Sequence, residues 1–73
     1  MQLTHEQYEA LERAVRLGQR VAAYRRGTEY VVVPRELTIR AGREIIRAVH
    51  PTTGEPIELA LDDLEELQVI RGR

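Results

Sequence analysis

A chain of 73 residues has room for one domain, and at this size folding hides only about 60% of the surface the unfolded chain exposes, enough for one small core and no deep cavity. It contains no Cys, Ser or Lys, which excludes disulfides, the usual Ser and Cys nucleophiles and Schiff-base chemistry. Eleven basic residues against twelve acidic ones leave a net charge of −1, so the chain as a whole exerts no basic pull on nucleic acid.

The first expected element is a helix over about residues 5–17. Thr4 is placed to cap it, and Gln7 three residues later completes a capping-box pattern. Glu6 falls in the first turn, where the helix dipole favours a negative charge. Tyr8, Leu11 and Val15, with Ala14 beside them, form one apolar stripe. Glu9 and Arg13 are spaced for an i,i+4 pair on the outer side, and Gly18 fits a left-handed C-terminal cap.

The period then changes from 3.6 to 2. Val21 and Ala23 alternate with Arg20, Ala22 and Tyr24, and Arg26-Gly27 is a turn. Tyr30–Val33 is continuously apolar and β-branched, the pattern of a strand covered on both faces. Pro34 has no N–H for a ladder and marks an edge, a bulge or a strand end. Leu37 and Ile39 alternate with Thr38 and Arg40, and Ala41-Gly42 is a second hairpin turn.

From Arg43 to His50 the chain alternates again, Ile45 and Val49 against Ile46 and Ala48. Pro51-Thr52-Thr53-Gly54 is a strong turn signal. Ile57, Leu59 and Leu61 are spaced by two, with Glu58 and Ala60 opposite. Asp62 is placed to cap a single helical turn reaching Leu67, with Glu65 at the capping-box position, and Val69-Ile70 is a short last strand. Arg71-Gly72-Arg73 is a loose end. The expected fold is mainly β with an N-terminal α-helix: about five antiparallel strands within residues 19–70, curled into a small SH3-like barrel that hides its edges.

The stretch from Ala10 to Leu67 resembles the WYL domain family. The matching segments are Gly18-Gln19-Arg20-Val21-Ala22-Ala23-Tyr24, Val33-Pro34-Arg35-Glu36-Leu37, Gly42-Arg43-Glu44-Ile45-Ile46-Arg47-Ala48, Thr53-Gly54-Glu55 and Leu59-Ala60-Leu61-Asp62-Asp63-Leu64. WYL domains are small SH3-like barrels of bacterial transcription regulators, usually behind a helix-turn-helix, and are thought to sense nucleotide or nucleic-acid ligands. The resemblance implies that fold and makes such a ligand worth testing. The chain departs from the family in two places. The Trp-Tyr-Leu signature falls on Glu44-Ile45-Ile46, and the basic positions near the end fall on Ile57, Ala60 and Asp63, where a carboxylate would repel a phosphate.

Charge is segregated: residues 13–47 hold nine Arg against three Glu, and residues 55–66 hold six acids and no base. Such halves make a dipolar surface or a self-complementary homodimer, or they pair with each other when the sheet curls. The candidate ligand face comprises Arg25, Arg26, Arg40, Arg43 and Arg47, since guanidinium groups match phosphate geometry, with Tyr24 and Tyr30 to stack bases. Against it stands a solvated face with Glu29, Glu36 and Glu44 interspersed. Asp62, Asp63, Glu65 and Glu66 lack the ligand spacing of a calcium loop and are read as a helix start. His50 flanks a turn with no acid or nucleophile set beside it. Two His and no Cys are a poor basis for structural zinc, and no cofactor motif is visible.

No apolar run approaches the ~20 residues of a membrane span, and Met1–Glu6 lacks the basic-then-apolar pattern of a signal peptide. The expected protein is cytoplasmic, without membrane contact and not an enzyme. It is a regulatory module that contacts nucleotide or single-stranded nucleic acid, or else a protein-interaction module that forms a homodimer or joins a separate DNA-binding regulator.

Overall fold

The computed structural model describes residues 1–70; the expectation for Arg71–Arg73 lies outside the described residues. A helix, α1 (His5–Leu17), leads into five strands: β1 (Arg20–Arg25), β2 (Thr28–Arg40), β3 (Arg43–Val49), β4 (Pro56–Ala60) and β5 (Glu66–Ile70). A single 3-10 turn, Leu61–Asp63, separates β4 from β5.

The helix begins and ends for the expected reasons. The Thr4 hydroxyl accepts from the Gln7 N–H, and the Gln7 side chain accepts from the Thr4 N–H. Gly18 closes the helix in a left-handed conformation and donates to Ala14 O. Leu11 and Ala14 are fully buried, with Tyr8 and Val15 half-buried around them. Glu9 pairs back to His5 at 3.1 Å rather than forward to Arg13.

The strands form one antiparallel sheet in the order β4-β3-β2-β1-β5. β2 belongs to two ladders. Its first half pairs with β1 through Val32↔Val21, and its second half pairs with β3 from Val33↔Val49 onward. At the change of partner Pro34 opposes Ala48 and Glu36 opposes Arg47, leaving Arg35 as the extra residue of a bulge. Of the places a proline can stand in a sheet, Pro34 takes the bulge, which bends the strand. The bend lets both halves turn their apolar faces to one core of Leu11, Ala14, Val21, Val32, Ile46, Leu59, Leu61 and Leu64.

Two-residue turns join β1 to β2 and β2 to β3, at Arg26-Gly27 and Ala41-Gly42. Both residues of each turn have positive φ: 53° and 76° in the first, 53° and 77° in the second. That is the twist-matched hairpin geometry, in which glycine supplies one of the two left-handed positions without strain. The β3–β4 connection is the expected Pro51–Gly54 turn, with Gly54 N–H donating to His50 O at 2.8 Å.

Two expectations are corrected. After Asp63 no helical turn continues to Leu67: the chain becomes extended, and β5 runs from Glu66. Leu61, Leu64 and Leu67 are all buried, so their i, i+3 spacing mimics a helix. Backbone pairing of Tyr24 with Glu66 and Ala23 with Leu67 decides the outcome for β5. Nor does Asp62 cap this turn; the N-cap position is Ala60, without a side-chain hydrogen bond. The sheet is also open. β5 returns to lie beside β1, but no ladder joins β4 to β5 among the described residues, so the expected barrel closure is not present.

Candidate nucleotide-binding site at the hairpin end

Strand parity divides the candidate residues. The register Val21↔Val32, Ala23↔Tyr30 and Arg25↔Thr28 puts Arg25, Thr28 and Tyr30 on the face that buries Val21, Ala23 and Val32. Tyr24 and its partner Glu29 are on the opposite face. Tyr24 Oη donates to Glu29 Oε2 at 2.9 Å, and this bond, with desolvation and the nearby Glu29 and Glu66 charges, raises the phenol's pKa. Tyr24 and Tyr30 therefore share no stacking platform.

Arg40, Arg43 and Arg47 do come together, on the outer face of β2, β3 and β4, but they arrive paired. Arg40 forms a two-pronged bond to Glu58, at 2.6 and 2.8 Å. Arg47 meets Glu36 at 3.1 Å and Glu58 at 3.7 Å. Arg43 reaches Asp63 at 3.4 Å and Asp62 at 3.7 Å. Folding has brought the basic and acidic segments side by side. Arg40 holds the Glu58 carboxyl below its ordinary range by that hydrogen bond and by its charge. Exposed pairs of this kind contribute little to stability, but they occupy guanidinium donors. Between Arg43 and Arg47 on the same face, Ile45 is only 8% exposed.

The remaining candidates gather at the β1–β2 hairpin. A concavity there is lined by Arg25, Arg26, Thr28, Tyr30 and Asp63. The Arg25 guanidinium lies over the Tyr30 ring, 4.8 Å from its centroid, and also donates to Tyr30 Oη at 3.2 Å. Among the described residues neither Arg25 nor Arg26 has a carboxylate within ion-pair distance. The turn itself is held in place: Glu65 Oε1 accepts from Gly27 N–H at 3.3 Å, and Glu65 N–H donates to Tyr24 O at 2.7 Å.

Thr28, Asp63 and Glu65 were not legible as parts of this place. Asp63 and Glu65 stand in an acidic run more than thirty residues from the hairpin, and only the return of β5 to β1 brings them there. A second, broader groove runs from Arg35 at the bulge past Arg47 to Pro56, Ile57 and Glu58, and its Arg47 and Glu58 are already engaged with each other. Among the described residues no three His, Cys, Asp or Glu side chains converge to hold a metal ion, and no helix is long and apolar enough to cross a membrane.

Comparison with protein-family models and with curated proteins returns no match to this chain.

Proposed function

We propose that this chain is a non-enzymatic regulatory module, WYL-like in its order of turns and strands, that contacts nucleotide or single-stranded nucleic acid at the β1–β2 hairpin. The observation that carries the reading is the pair of guanidinium groups, Arg25 and Arg26, with no carboxylate within ion-pair distance among the described residues, beside an aromatic ring in one concavity. Free guanidinium forks suit phosphate, and flat rings and guanidinium planes suit bases. The SH3-like reading belongs with this proposal. It is supported by the bent β2 shared between two ladders and by the pairing of β5 with β1. The family's basic positions are occupied by Ile57, Ala60 and Asp63, so the ligand is placed at the hairpin instead.

The test is fluorescence anisotropy with a labelled mononucleotide, single-stranded RNA, single-stranded DNA and duplex DNA, at low and at physiological salt. Binding that weakens with salt is expected, because phosphate contacts release counterions. Arg25→Glu with Arg26→Glu abolishes it, whereas Arg43→Glu with Arg47→Glu leaves most of it. The opposite ranking places the ligand on the outer face and overturns the assignment.

The open sheet favours a second reading. Among the described residues β4 and β5 each have one neighbour, and an unpaired strand edge is a template for another chain. A protein-interaction or homodimerisation module with no nucleic-acid role predicts a concentration-independent dimer in light scattering and no salt-sensitive binding in the anisotropy assay.

A further inference from the structure

We infer that the hairpin site takes a single ribonucleotide rather than a strand, and that Asp63 is the residue that selects it. The inference rests on the nucleotide reading above and deepens it. The site offers one aromatic ring, Tyr30, since Tyr24 is on the other face. It offers two cations, Arg25 and Arg26, with no carboxylate within ion-pair distance among the described residues, whereas Arg40, Arg43 and Arg47 are engaged by carboxylates. That is a footprint of one base and one phosphate. The Arg25 guanidinium over the Tyr30 ring gives the base a flat cationic surface, and Arg26 at the turn takes the phosphate.

Asp63 is the anomalous member of this lining, a carboxylate in a site for an anion. Its Oδ1 faces Arg43 Nη2 at 3.4 Å, and the side chain is open to solvent. A carboxylate only accepts hydrogen bonds, so its complement on a ligand is a donor, and the hydroxyl pair of a ribose supplies two. The same charge repels a second phosphate. Asp63 therefore favours a mononucleotide with free sugar hydroxyls over a polyanionic backbone.

Isothermal titration calorimetry on the full chain separates these claims, with adenosine 5′-monophosphate, its 2′,3′-dideoxy analogue, inorganic phosphate and a short oligoadenylate as probes. Adenosine monophosphate is expected to bind roughly tenfold more tightly than the dideoxy analogue, the worth of a hydrogen bond to a charged group, and at least as tightly as the oligoadenylate. Asp63→Ala abolishes the preference for the ribose, and relative affinity for inorganic phosphate and oligoadenylate rises. Asp63 is 43% exposed, and circular dichroism verifies that the variant folds; if it does not, Asp63→Asn, in which the preference weakens, takes its place. Equal affinity for the two nucleotides in the unaltered chain, an unchanged ratio in the Asp63 variant, or clearly tighter binding of the oligoadenylate overturns the inference while leaving a nucleotide site at Arg25 and Arg26. Binding of none of the probes, or binding indifferent to Arg25→Glu and Arg26→Glu, overturns the nucleotide reading itself.

Discussion

Glu58 and Tyr8 show how single side chains tie separate elements together and make that tie depend on pH. Glu58 of β4 accepts both prongs of Arg40 from β2; that hydrogen bond is the main cause of its lowered pKa, desolvation opposes it, and the charges of Arg40 and then Arg47 lower it further. A carboxyl whose folded pKa is depressed contributes stability that is present above its unfolded value and lost as pH falls through its folded value. Tyr8 of α1 donates to Glu44 of β3, 2.6 Å from Oε1. That bond, then desolvation, then the Glu44 charge raise the phenol above its ordinary 10.0. Its contribution is complete below that ordinary value and is lost as pH rises through the raised one. Thermal unfolding followed from about pH 3 to about pH 11 is thus expected to show two declining limbs. Glu58→Gln flattens part of the acid limb and Tyr8→Phe part of the alkaline one. An unaltered profile in both variants contradicts the assignment.

At the scale of elements, the turns were the most legible part of the chain. Gly after Arg26 and Gly after Ala41 mark both hairpins, and the capping box and Gly18 bracket the helix at the observed residues. The segment after Leu61 was less legible, because buried Leu61, Leu64 and Leu67 follow a helical spacing while their burial comes from a 3-10 turn and a strand. Periodicity reports which residues are buried, and long-range pairing with β1 decides the backbone they adopt. Each hairpin holds one non-glycine residue in a left-handed conformation, Arg26 and Ala41, both at φ 53°, which asparagine adopts more readily. Ala41→Asn is expected to stabilise the protein by about 0.5–1 kcal/mol, a rise of a few degrees in Tm for a domain of this size. A lower Tm would mean that this turn does not limit the β2–β3 hairpin.

For the whole molecule, the sequence disclosed the charge segregation and left open a dipolar surface, a self-complementary dimer or pairing of the two halves; the structure shows the pairing. The acidic residues 58, 62 and 63 return against Arg40, Arg43 and Arg47, because the meander places β4 and the 3-10 turn beside β3. The face richest in Arg is consequently the one with its charge already answered. At the hairpin, Arg25 and Arg26 have no carboxylate within ion-pair distance among the described residues, and Arg25 lies over Tyr30. Strand parity was readable in principle once the register was known, and it is the reason Tyr24 and Tyr30 part company. The central claim is that ligand binding belongs to that hairpin end. The most direct test is a titration of the isotope-labelled protein with adenosine 5′-monophosphate, followed through its backbone amide resonances. Shifts concentrated at residues 25–30 and 61–65 are the predicted result; shifts centred on Glu36, Arg40, Arg47 and Glu58, or no shifts at any residue, would contradict it.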